Sequence, residues 1–162
     1  MDLNDLKNYF QTLPDRIMDV APDIVADTAT EYFKDRFTEK AFDGNPWAEP
    51  KKPKKTGSLL VRSGALANSI RPSYIGKDKV TISAGDMKVD YARVHNEGFQ
   101  GAVVVNPFSR RTKSGKIASV KSHTRNMDIP QRQFMGNSKE LAQSIHDRLQ
   151  PAVAAVAKEI KR

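Results

Sequence analysis

A mixed α+β fold is predicted by three observations on this 162-residue sequence. Apolar residues recur at helical spacing near both ends, and they alternate in short runs through the middle. The excess positive charge falls in two stretches of loop-like composition between these patterned segments. The expected architecture is a long N-terminal helix kinked near Pro22, a small antiparallel sheet, a C-terminal helix packing on that sheet, and a long basic loop or hairpin insertion.

The first helix is expected from Leu3 to about Lys40. Ile17, Val20, Ala21, Ile24, Thr28, Tyr32 and Phe33 follow one another at steps that line one face. Thr12 with Asp15 resembles a capping box, and Pro14 suits a first turn. Pro22 removes a hydrogen bond and clashes with the turn before it, so a kink or a junction of two helices is expected there. The segment Phe42 to Thr56 is rich in Pro, Gly and Lys and holds the only tryptophan, Trp47. Its large apolar face suits an anchor of the loop onto a core, with a stacking role as the alternative.

Ser63 is a candidate cap for one or two helical turns in which Leu66 and Ile70 lie four apart. Ile70 to Ile75 and Lys79 to Ala84 read as a hairpin around Gly76-Lys77-Asp78, with Val80, Ile82 and Ala84 on one face. Gly101 to Val105 reads as a further strand, paired with Ile117 to Val120 across a basic tip. Met127-Asp128-Ile129 should be extended before Pro130. The last helix is expected from about Ser138, with Asn137 and Glu140 as its capping box and Leu141, Ile145 and Leu149 as its stripe. Pro151 should kink it before Val153, Val156 and Ile160. The expected organisation is a single domain over 1–162. It divides into a helical region (1–41), a basic Pro/Lys loop (42–58), a short helix and hairpin (59–98), a basic insertion or arm (99–128) and a C-terminal helical region (129–162).

The net charge of +8 is unevenly spread. Lys51, Lys52, Lys54, Lys55 and Arg62 fall in a stretch without an acid, as do Arg110, Arg111, Lys113, Lys116, Lys121 and Arg125. The remainder has 16 basic against 19 acidic residues, so the two stretches carry the excess. They are candidate arms for an acidic protein surface or DNA, and a solvated loop is the bland alternative.

Catalytic patterns are missing. There is no cysteine, and His95, His123 and His146 have no metal-binding spacing. No nucleophile elbow, phosphate loop or dinucleotide fingerprint occurs. Asp86 and Asp90 suit a turn, and His95 is better read as hydrogen-bonded in a turn than as a general base. No enzyme, cofactor or metal is therefore expected. The acidic first residues lack an apolar core and no segment is apolar enough to span a bilayer, so neither secretion nor a membrane is expected. For nucleic acid, Phe108 is the only aromatic at the edge of the second basic stretch. That leaves phosphate contact without base readout, and the rival function is a non-specific nucleic-acid-binding protein using two basic loops.

Four short motifs, in order, resemble the phage virion morphogenesis (tail completion) family. They are Phe42-Asp43-Gly44-Asn45-Pro46-Trp47; Leu60-Val61-Arg62-Ser63-Gly64-Ala65-Leu66 with Ser69-Ile70; Tyr91-Ala92-Arg93-Val94-His95-Asn96-Glu97-Gly98; and Ile129-Pro130-Gln131-Arg132-Gln133-Phe134-Met135-Gly136. Gln131 and Gln133 replace the usual Ala and Pro, Asn96 replaces Gln, and the basic insertion exceeds the minimal pattern. The resemblance makes Trp47, Ser63, Gly64, Leu66, Tyr91, His95, Gly98, Pro130, Arg132, Phe134 and Gly136 family scaffold. It implies a structural assembly protein at the head–tail junction or the tail end, located in the virion after assembly in the host cytoplasm. Its implied neighbours are portal, adaptor or tail proteins, with self-association into a ring and non-specific DNA contact as further expectations.

Overall fold

The computed structural model describes residues 3–50 and 57–160. The chain is mixed helix and strand, beginning with a helix α1 (Leu3–Glu39) and ending with a helix α4 (Lys139–Ile160) that packs along it.

α1 is one continuous helix through both Pro14 and Pro22, not two helices meeting. Each proline takes a donor from the carbonyl four residues back. Here those carbonyls belong to Phe10 and Met18, on a stretch open to water that can solvate them. Thr12 is not a cap: its hydroxyl sits inside the helix and donates to the Asn8 carbonyl at 2.8 Å. The two halves of α1 differ in burial. Residues 3–20 are largely exposed, whereas Ala26, Ala29, Tyr32, Phe33 and Phe37 turn one face into the core.

Lys40, at φ 57°, ends α1, and its amide returns to the Arg36 carbonyl at 2.7 Å. A minimal hairpin follows, β1 (Ala41–Phe42) with β2 (Asn45–Pro46), turning on Asp43 and Gly44, both at positive φ. After a short helix α2 (Ala65–Asn68), β3 (Arg71–Ile75) and β4 (Val80–Ser83) form the expected second hairpin. It lies against α1, where Lys77 pairs with Asp19 at 2.7 Å. Gly64, at φ 75°, occupies the cap position of α2, and Ser63 only accepts a long bond from the Ala65 amide.

A helix α3 (Ala92–Glu97) leads into β5 (Phe99–Val105), β6 (Phe108–Arg111), β7 (Ile117–Val120) and β8 (His123–Ile129). β5 pairs with β8, from Phe99↔Ile129 to Val105↔His123, and β6 with β7. The expected pairing of Gly101–Val105 with Ile117–Val120 is thus corrected. The turn sits farther out, at Thr112–Lys116, where the Thr112 amide donates to the Lys116 carbonyl at 2.8 Å. The basic insertion is a two-stranded ribbon, broken between its ladders at Asn106-Pro107, where proline has no amide to donate.

α4 runs unbroken through Pro151, and its main partner is α1, where the sequence places it on the sheet. Among the described residues the strands form four separate two-stranded ladders and no broad sheet face to receive a helix. The core gathers Tyr32, Phe33, Phe37, Phe42, Trp47, Leu66, Ile70, Val89, Ala92 and Phe134. Phe37 is its hub, with ring centroids 5.5 Å from Trp47 and 5.1 Å from Phe134.

Candidate interaction surfaces

The four motif segments converge on one joint. Trp47 is buried and donates from Nε1 to the Gln133 carbonyl at 2.6 Å, so it anchors its loop. Arg132 is also buried, donating from Nε to the Ala48 carbonyl at 3.0 Å, while its amide donates to the His95 carbonyl at 2.8 Å. Phe134, Leu66 and Ile70 are each at most 2% exposed. Asn96 ties the third motif to the fourth: its Oδ1 accepts from the Phe134 and Met135 amides, both at 2.9 Å, and its Nδ2 donates to the Met135 carbonyl at 3.1 Å. Gly98, at φ 78°, brings the chain so close to Gln131 that a Cβ would meet its amide nitrogen at 3.0 Å. Pro130 and Gly136 bracket the strap that carries Arg132 and Phe134.

Tyr91 and His95 lie one helical turn apart, with rings edge to face at 5.7 Å. With Leu59, Leu60, Arg62 and Arg132 they line a hollow of about 210 Å³ whose lining contains no carboxylate. No group of side chains suited to a metal ion occurs among the described residues. Nor is any described helix long and apolar enough to cross a membrane.

A second cluster fixes the start of α4. Ser138, not Asn137, caps it, accepting from the Leu141 amide at 3.1 Å. The Asp43 carboxylate adds a cap from far away in sequence, accepting from Ser138 Oγ at 2.8 Å and from the amides of Lys139 and Glu140 at 3.0 and 3.2 Å. The Ser138 hydroxyl and these two amides hold the Asp43 carboxyl below the usual carboxylate range. Tyr32 donates to Glu140 Oε2 at 3.0 Å, and burial pushes its phenol above the ordinary tyrosine value. Buried Arg36 lies 4.1 Å over the Tyr32 ring and pairs with Glu39 at 2.8 Å and Glu140 at 3.3 Å.

The candidate arm residues divide. Lys51, Lys52, Lys54 and Lys55 lie outside the described residues. Arg62 is exposed at the hollow beside Tyr91. Arg110 and Arg111 are on β6, Lys113 and Lys116 at the tip, Lys121 between β7 and β8, and Arg125 on β8. All six are exposed, and none has an ion-pair partner among the described residues. The ribbon's extensive packing is with itself alone. Phe99, Val103, Val105, Met127 and Ile129 share one of its faces, and Val104, Phe108 and Ile117 are left exposed.

An acidic ridge was legible in the sequence but is absent from the expectations above. Asp15, Asp19, Asp23, Asp27, Glu31, Asp35 and Glu39 follow one another at steps of four along α1, and all are exposed. Steps of four trace a ridge that winds slowly round a helix. Like charges at that spacing cost roughly 0.2–0.5 kcal/mol per pair. Lys77, Arg148 and Arg36 pair with Asp19, Glu31 and Glu39, whereas Asp23, Asp27 and Asp35 have no ion pair among the described residues.

A family model described as the phage virion morphogenesis family matches residues 1–154. No curated protein and no solved structure matches the chain.

Proposed function

The chain belongs to the phage virion morphogenesis family, and on that premise we propose that it is a structural subunit acting at the head–tail junction or in completing the tail. Its part in building a phage virion follows from the family; the station is our reading. One observation supports it above the others. The family's motif residues are spent on the joint of Trp47, Asn96, Arg132 and Phe134, and that joint holds out an exposed basic ribbon.

A two-stranded ribbon is at best marginally stable alone in water, and its apolar face and six bases call for a covering partner. Portal, adaptor or tail proteins, or further copies of the subunit, are the partners that suit an assembly role. The Tyr91–His95 hollow is read as scaffold and the protein as a non-enzyme, in keeping with its membership of a virion morphogenesis family. The test is a phage carrying the gene without codons 109–124. Unjoined heads and tails by electron microscopy and a collapse in plaque titre are expected. Unchanged assembly and titre would overturn the reading.

A further inference from the structure

The ribbon and the outer face of α1 both point away from the core, and they carry opposite charge. The ribbon, 99–129, has six bases against one acid; α1, over 3–39, has eight acids against four bases. Both also expose apolar groups, Phe10, Met18 and Val20 on the helix and Val104, Phe108 and Ile117 on the ribbon. Among the described residues the two do not pack together: β5 to β8 pack with one another, and α1 packs with α4, α2 and the β1 and β3–β4 strands. Of the acids on α1, Asp19, Glu31 and Glu39 are paired, with Lys77, Arg148 and Arg36.

Resting on the assembly reading, we propose that the basic ribbon of one copy docks along the acidic ridge of α1 on a second copy. The dimensions agree. Four residues of helix rise about 6 Å and two residues of strand about 6.6 Å, so carboxylates on the ridge and side chains on one ribbon face have nearly the same repeat. From Asp23 to Asp35 the ridge rises about 18 Å and turns about 120° round the helix, a span that a twisted ribbon running about 33 Å from its tip to Arg125 can follow. Asp23, Asp27 and Asp35, without an ion pair among the described residues, would meet the ribbon's bases, which have none there either. Such a contact joins two different surfaces: repeated head to tail it closes rings or extends filaments, and made reciprocally it gives a two-fold dimer.

The test uses two full-length charge-reversed variants. One carries Arg110→Glu, Arg111→Glu and Lys113→Glu on the ribbon; the other carries Asp23→Lys, Asp27→Lys and Asp35→Lys on the ridge. All six positions are exposed, and far-UV circular dichroism checks that both variants fold. Sedimentation of the unaltered protein at low salt should show self-association that weakens steeply as salt is raised. Each variant alone should associate at least tenfold more weakly, and an equimolar mixture of the two should recover association, because an acidic ribbon then meets a basic ridge. Three results would overturn the proposal: an unaltered protein that stays monomeric at low salt, a ridge variant that associates normally, or a mixture that does not recover. A ribbon that binds duplex DNA, with self-association indifferent to the ridge, would also overturn it and make nucleic acid the occupant. Loss of titre on removing 109–124 together with any of these would leave the assembly reading standing and the docking refuted.

Discussion

Asn96 shows how one side chain can join two segments that sequence patterns treat as separate. Its amide satisfies three main-chain groups of the strap carrying Phe134 and Met135. Truncating it leaves part-buried amides without acceptors, which costs more than the bonds themselves. Asn96→Ala should therefore lower unfolding stability by about 2–4 kcal/mol, whereas Asn96→Asp keeps both accepted bonds and should lose no more than about 1.5 kcal/mol. Denaturant titration of the three proteins distinguishes these outcomes, and equal losses would sink the account. In the sequence Asn96 registers only as a departure from the family pattern. Nothing in its neighbours reports contacts 38 and 39 residues away.

The Asp43 cap gives a pH signature at the same scale. Its carboxyl is held below the ordinary carboxylate range when folded, so the unfolded chain takes up the proton more readily. The cap's stabilisation is then fully present above the unfolded carboxylate value and is lost as pH falls through the folded one. Between about pH 6 and pH 3 the unaltered protein should lose stability more steeply than Asp43→Asn, a difference readable from denaturant midpoints. Parallel curves for the two proteins would exclude the mechanism.

At the scale of elements, helices and the β3–β4 hairpin were legible because their apolar periodicity is strong. That α1 is not split at its prolines has a physical reason. Pro14 and Pro22 break hydrogen bonds on the half of α1 that water reaches, where a lost bond is replaced cheaply, so the helix continues. The ribbon was misread in register because Thr124, Arg125 and Asn126 give no apolar alternation, although they pair with Val104, Val103 and Ala102. Ser138 took the cap expected of Asn137, since Asp43 reaches it from across the chain.

These differences in packing set local stability. The ribbon's amides are protected only by its own ladders, while the Ala26–Phe37 stretch of α1 sits against the core. Hydrogen exchange in the free protein should release β6 and β7 first and that helical stretch last. Equal protection of ribbon and core would contradict a free-standing arm.

At the scale of the whole molecule, family and architecture were readable, because four motifs in order carry the first and periodicity the second. What faces outward was only half read. The basic stretches stand out as runs of like charge in sequence, but the acidic ridge is diluted by apolar residues and emerges only at steps of four. Its meaning needs the structure, which leaves that face of α1 exposed. The molecule accordingly divides its labour between a joint closed on itself and two open elements.

The ribbon's root is pinned where Gly98 meets Gln131, so its length can vary outward without disturbing anything inward. Two residues added to each strand would extend its reach by about 7 Å and keep every side chain on its face. A single added residue would invert the faces beyond it. Relatives whose ribbons differ in length should therefore differ by even steps per strand, with the joint unchanged beneath.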